Sequence, residues 1–200
     1  MVFGAHPDDA EIGMGGIISQ QIRLGRRIVL CDLTAAEMSS NGNPQIRHHE
    51  AVASANTLGV SERICLGFVD RGMKANSEEL LDIVRVIREY RPKVVYSPWH
   101  RDSHPDHRIT SELVREGVLN ARLLHYGKLP ARSVERVWEY FINETAPDPF
   151  YICLQEEDGL DKLRALACYS SQFHPTEGSV LTRLHSLLHK IELRDNMLEA

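Results

Sequence analysis

Val2-Phe3-Gly4-Ala5-His6-Pro7-Asp8-Asp9-Ala10-Glu11 opens the chain, and Arg27-Ile28-Val29-Leu30-Cys31-Asp32-Leu33 ends its first unit. Residues 2–5 read as a short strand and residues 27–33 as a buried one. Between them, residues 14–24 place Ile17, Ile18, Ile22 and Leu24 on one side of a helix. A strand, a helix and a strand in so few residues form a βαβ unit, whose two strands run parallel. The rhythm repeats. Residues 44–58 read as an Ala-rich helix opened by Pro44, and residues 63–68 (RICLGF) as a strand. Residues 77–90 align Leu80, Val84, Ile87 and Tyr90 on one helical face, with Ser77, Glu79 and Leu80 marking the start. Residues 92–96 (PKVVY) are a strand, and residues 105–124 return to helical period through Ile109, Leu113, Val114, Val118 and Leu119. This alternation predicts an α/β, Rossmann-like three-layer fold: a mostly parallel sheet with helices on both faces.

The last third changes character. Val134 to Ile142 and Phe150 to Leu154 read as two further strands. Helices follow at about 158–171 and 178–198, the latter with Val180, Leu184, Leu187, Leu188 and Ile191 on one face. No repeat or linker interrupts residues 1–200, which predicts a single domain. A composition of 42% hydrophobic and 26% charged residues excludes disordered, collagen-like and coiled-coil proteins. The net charge of −5 argues against a dedicated nucleic-acid binder. No apolar stretch approaches the ~18 residues of a membrane span, and no signal-peptide core follows Met1. Cys31, Cys65, Cys153 and Cys168 lack C-x-x-C spacing and read as buried free thiols, so the expected location is a reducing cytoplasm.

In an open α/β sheet, ligands sit beyond the carboxyl ends of the strands. After the first strand comes Ala5 to Glu11; after the second, Asp32, Thr34, Glu37 and Ser39-Ser40-Asn41-Gly42. Asp70-Arg71-Gly72 follows the third, and His100 to His107 the fourth. All four polar loops fall on one sheet edge. His6-Pro7-Asp8-Asp9 and His104-Pro105-Asp106-His107 together supply nitrogen and oxygen donors that zinc accepts, with no thiolate. Two histidines and one carboxylate, leaving a place for water, make the catalytic pattern. Spacing alone does not choose Asp9 over Asp8, or His107 over His104. A dinucleotide fingerprint fails because Ile18 stands where its third glycine would be, and neither a P-loop nor a G-x-S-x-G elbow is present. Gly15 and Gly16 are expected to allow close helix–sheet packing.

With these segments in view, the chain resembles the PIG-L/LmbE family of zinc-dependent N-deacetylases. The family's A-H-P-D-D-x-E-x-G motif is found from Ala5 to Gly13, and its H-P-D-H motif from His104 to His107. Further segments, from Asp32 through Ser39-Ser40-Asn41-Gly42 to Arg47, Asp70-Arg71-Gly72 and Tyr169-Ser170-Ser171-Gln172-Phe173, are similar to the branch acting on N-acetylglucosaminyl-malate in bacillithiol synthesis. The resemblance implies an LmbE-like fold and one Zn²⁺ per chain held by His6, Asp9 and His107. It makes Asp8 the general base and His104 the general acid or oxyanion partner, oriented by Asp106. It implies substrate contacts from Arg47 and Asp70, with Ser39 and Asn41 lining the mouth; Arg71 and Arg101 are weaker candidates. Glu11 reads as a supporting hydrogen-bond partner. Related mycothiol-pathway deacetylases place a Tyr two residues before the second motif, where this chain has Asp102. Beside the family the chain reads as short at both ends, and relatives often form hexamers, which implies a homo-oligomer.

The leading expectation is therefore a zinc-dependent hydrolase removing acetyl from an N-acetylglucosaminyl conjugate, the malate conjugate first. A second reading changes the substrate to a chitooligosaccharide or another N-acetyl-amino-sugar, against which stands the scarcity of aromatic residues near the loops, Trp99 being the only one beside the second motif. A third is a metal-binding protein of the same fold without turnover. His48, His49, His125, His185 and His189 sit in helical patterns and read as solvated or packing residues; His100 and His174 are unassigned.

Overall fold

The structure is a computed structural model that describes residues 1–173. Five strands form one parallel sheet: β1 (Val2–Gly4), β2 (Val29–Thr34), β3 (Glu62–Phe68), β4 (Val94–Pro98) and β5 (Arg136–Tyr140). Their order is β3-β2-β1-β4-β5, so the chain moves outward from β1 and then switches back to β1's other side. The helices are α1 (Asp9–Arg23), α2 (Pro44–Leu58), α3 (Ser77–Tyr90), α4 (Pro105–Asn120), α5 (Glu156–Ala167) and the single turn α6 (Ser170–Phe173). The expected three-layer architecture is the one observed.

Alternation along the strands divides the core between the two faces. Phe3, Cys31, Leu33 and Val95 point toward Leu80, Ile83, Val84 and Ile87 of α3 and Leu113 and Val114 of α4. Val2 and Leu30 point the other way, toward Ala10, Met14 and Ile18 of α1, Leu58 of α2 and Ala165 of α5. Local chemistry sets the helix ends. Asn43 caps α2, with Pro44 at its first position, and Gly59 at φ 77° ends it. α3 starts on a capping box in which Asn76, rather than Ser77, is the cap and Glu79 the reciprocal partner.

Four sequence expectations need correction. α1 begins at Asp9 rather than 14, because the polar motif forms its first turn, where acidic side chains are favoured. Residues 150–154 are not a strand: Phe150 and Tyr151 are 64% and 73% exposed, Phe150 packs on Trp138, and the Cys153 carbonyl accepts from the Gln20 side chain. Gly15 and Gly16 face Lys162, Leu154 and Asp158 rather than the sheet, so their missing side chains admit α5 and the segment before it. Cys65 and Cys153 are exposed; of the four free thiols, Cys31 is buried. The helix read at about 158–171 resolves into α5 and α6, and the one read at 178–198 lies outside the described residues, as do His174, His185 and His189. His48, His49 and His125 are exposed, as expected. Among the described residues, no helix is long and apolar enough to cross a membrane.

Candidate active site at the strand switch point

β1 and β4 are neighbours at the point where the strand order turns, and the two histidine motifs leave their carboxyl ends on either side of that crevice. Asp9, in the first turn of α1, lies between the motifs. Its Oδ2 accepts from the His6 amide (2.9 Å) and lies 3.5 Å from His6 Nδ1; its Oδ1 lies 3.2 Å from His107 Nε2. The second nitrogen of each ring faces another carboxylate. His6 Nε2 is 3.2 Å from Asp70 Oδ1 and 3.4 Å from Asp106 Oδ2, and His107 Nδ1 is 3.0 Å from Asp102 Oδ1. Each imidazole thus turns one nitrogen to Asp9 and backs the other with a carboxylate, as metal-ligating histidines do. His104 completes the group, its ring centroid 5.0 Å from that of His6 and 4.7 Å from that of His107.

The electrostatics of this group favour added positive charge. Burial works against charge on His6, but Asp106, Asp70 and Asp9 outweigh it and hold the imidazole well above its ordinary pKa. His107 is raised in the same way, burial being overcome by Asp9 and Asp102. Burial also opposes ionisation of Asp9, yet His107 and His6 hold it well below the ordinary carboxylate range. Asp106 is brought down to about 2, burial being outweighed by His6 and the Arg71 amide. Two imidazoles and a carboxylate that favour a cation among them, with no sulfur donor, fit a zinc-type divalent ion. Donor atoms of His6, His104 and His107 lie within 4.8 Å of one another, as do those of His6, Asp70 and Asp106.

Asp8 is held beside this group by an unusual backbone. It precedes α1 at φ 105° and ψ −26°, a left-handed conformation that costs a non-glycine residue about 1–3 kcal/mol. Its side chain makes no cap bond to the helix and instead places Oδ2 3.1 Å from Arg47 Nη2. Burial pushes the Asp8 carboxyl up to about 6, against the pull of Arg47. Arg47 is not a solvated helix charge: it is 2% exposed, donates to the Pro7 carbonyl, and lies over the Tyr169 ring at 5.3 Å. Its Nε and Nη1 are buried without a hydrogen-bond partner among the described residues.

Behind the site runs a buried ionic network. Arg63 donates through Nε (2.7 Å) and Nη2 (2.8 Å) to Asp32, and through Nη1 (2.5 Å) to Glu11. Glu11 also accepts from Ser54 (2.8 Å) and Tyr169 (2.9 Å), which accounts for its supporting role. The network ties α1 to α2, β2, β3 and the turn before α6.

Several expected roles meet a different geometry. The Asp106 carboxylate does not reach His104; it faces His6 and accepts from the Arg71 amide (3.0 Å), while the Asp106 amide donates to His104 Nδ1 (3.3 Å). Asp70 has both oxygens engaged, with His6 and with the Met38 amide (2.9 Å), so it backs His6 rather than standing free for a sugar. Ser39 donates to the Asn41 carbonyl, which also accepts from Gln172; both residues brace the loop before α2. Arg71 is 49% exposed at its side chain and reaches Asp106 at 4.0 Å. Sequence reading missed Asp102, which is 1% exposed and lies against His107; its place two residues before the second motif was the available signal. It also missed that Trp99, Trp138, Phe141, Phe150 and Tyr151 line one groove of about 750 Å³ beside β5.

Comparison with known proteins extends this geometry. The diacetylchitobiose deacetylase of Thermococcus kodakarensis is 32% identical over 184 residues, covering 84% of this chain and 67% of that protein. A conserved protein of Thermus thermophilus superposes with a TM-score of 0.82 at 33% identity, covering 86% of this chain and 78% of that one. The N,N'-diacetylchitobiose deacetylase of Pyrococcus horikoshii, solved with an inhibitor, gives a TM-score of 0.76 at 28% identity, with coverages of 86% and 69%. A family model described as PIG-L: GlcNAc-PI de-N-acetylase matches residues 1–118. That match takes in more than half of the chain and both histidine motifs, from His6 to His107, and the chain therefore belongs to the PIG-L family of de-N-acetylases.

Proposed function

We propose that this chain is a zinc-dependent hydrolase that removes the N-acetyl group from short chitooligosaccharides such as diacetylchitobiose. The observation that carries the reading is the convergence of His6 Nδ1 and His107 Nε2 on the Asp9 carboxylate, with Asp8 alongside. His6, Asp9 and His107 hold the ion. Bound there, zinc supplies Lewis acidity that makes water a nucleophile near neutral pH and polarises the acetamide carbonyl. Asp8 takes the proton of the attacking water and returns it to the sugar nitrogen as the C–N bond breaks, releasing the free amine and acetate, and Arg47 fixes its carboxylate. His104 Nδ1 accepts the Asp106 amide, which leaves the ring proton on Nε2 for donation to the developing oxyanion. Asp70 and Asp106 hold His6 in register.

Two relatives named for diacetylchitobiose favour this substrate over the malate conjugate. The objection drawn from scarce aromatics also loses force, because Phe141 packs its ring 5.6 Å from that of Trp99 although the two are far apart in sequence. The left-handed backbone of Asp8 is strain of the kind that collects at functional sites. Zinc content and acetate release from diacetylchitobiose, N-acetylglucosaminyl-malate and N-acetylglucosamine test the proposal. The expected result is one zinc per chain and the highest kcat/KM on diacetylchitobiose. A higher value on the malate conjugate overturns the substrate assignment, and no release from any of the three overturns the activity.

A further inference from the structure

We propose that Asp102 is the positioning residue for His107: it keeps the proton on His107 Nδ1 and so leaves Nε2 bare for the metal. The proposal rests on the metal site described above. Asp102 Oδ1 lies 3.0 Å from His107 Nδ1, at ion-pair distance, and this buried nitrogen has no aligned hydrogen-bond partner among the described residues, which leaves Asp102 as the acceptor placed to hold its proton. A neutral imidazole can ligate through only one nitrogen, and a carboxylate at the other decides which one and raises its basicity.

The carboxylate is itself held firmly. Its Oδ1 accepts from the His104 amide (2.8 Å) and Asn143 Nδ2 (2.8 Å), and its Oδ2 from the Asn143 amide (3.1 Å). Arg108 Nη1 also donates to the Asp102 carbonyl at 2.8 Å. These donors come from two loops, one after β4 and one after β5, and from α4. Asp102 therefore cannot turn to the substrate side without abandoning three hydrogen bonds. The position two residues before the second motif backs a metal ligand in this chain, and the oxyanion is left to His104 and the ion.

The test compares wild type, Asp102→Asn and Asn143→Ala by competing each against a chromophoric chelator for Zn²⁺. Asn keeps the shape of Asp102 and one oxygen for the loop amides but lacks the charge that anchors the imidazole proton. Asp102→Asn is expected to bind zinc about 10–100-fold more weakly. Asn143→Ala disturbs the same loop without touching His107 and is expected to stay within about threefold of wild type, since it leaves the carboxylate–imidazole contact intact. ¹⁵N-histidine correlation spectra of zinc-loaded wild type give a second readout that needs no variant to fold, with the proton expected on His107 Nδ1. Unchanged affinity in Asp102→Asn, or zinc found on Nδ1, overturns the role of Asp102 while the metal site stands. A wild-type protein that binds no zinc overturns both.

Discussion

Arg63→Met removes the cation on which the network behind the site depends. Methionine keeps most of the apolar stem and leaves Glu11 and Asp32, at 0% and 3% exposure, without their shared guanidinium. Breaking a buried ion pair by deleting one partner costs about 3–5 kcal/mol. The loss is unequal between the two carboxylates. Glu11 keeps hydrogen bonds from Ser54 and Tyr169, whereas Asp32 loses a bidentate partner. The penalty therefore falls mainly on Asp32, and we expect a total near ~4 kcal/mol, a large share of the ~5–15 kcal/mol that stabilises a typical domain. Urea unfolding at pH 7.5 followed by circular dichroism measures it. The pH dependence has a defined sign. Burial already raises the Asp32 pKa despite Arg63, and the variant raises it further. A carboxylate whose folded pKa lies above its unfolded one destabilises at high pH, and that cost fades as the pH falls through the folded value. The penalty is thus expected to shrink at pH 5, and Arg63→Met/Asp32→Asn is expected to recover more than half of it. A loss under about 1 kcal/mol, or one that grows on acidification, would refute the assignment of the network as a charge-balanced unit.

Asp8→Ala and Asp8→Gly both lose the carboxylate and differ only in a Cβ at φ 105°. Both are expected to keep zinc and lose turnover by about 10²–10⁴, while the Gly variant unfolds at higher urea by about 1 kcal/mol; equal stabilities would contradict the strain. His107→Ala is expected to weaken zinc binding by more than ~100-fold in chelator competition, and near wild-type affinity would remove it from the ligand set. At Gly13 an added Cβ would lie 2.2 Å from Tyr140 Cδ2, so Gly13→Ala is expected to cost about 1–3 kcal/mol and lower the melting temperature. An unchanged melting temperature would show that Tyr140 yields without cost.

Much of the fold and site was legible in the chain. The bounds of α2 and α3 were readable because Pro44 and the Glu79 turn signal local starts and a 3.6-residue apolar pattern fills the turns after them. The strand-end rule located both histidine motifs at one edge from sequence alone. Side-chain direction was not legible. Asp70 and Asp106 back His6, and Asp102 backs His107, through rotamers and loop contacts up to 64 residues apart in sequence. Spacing within a motif carries no information about which carboxylate faces which nitrogen. The apolar run 150–154 misled for another reason: it packs the Phe150 ring on Trp138 from outside, and a surface segment of that kind has the composition of a strand without a pairing partner.

The groove beside β5 has a practical consequence. The chain's two tryptophans, Trp99 and Trp138, both line it. Intrinsic fluorescence is therefore a local reporter of one sheet edge, and it is blind to the α3–α4 face of the core. Trp99 also stands 5.9 Å from the His100 ring, so its indole senses the loop after β4 as well. An emission change seen on adding a sugar or lowering the pH thus reads the surroundings of these two indoles, and only its coincidence with far-ultraviolet dichroism turns it into a measure of global unfolding.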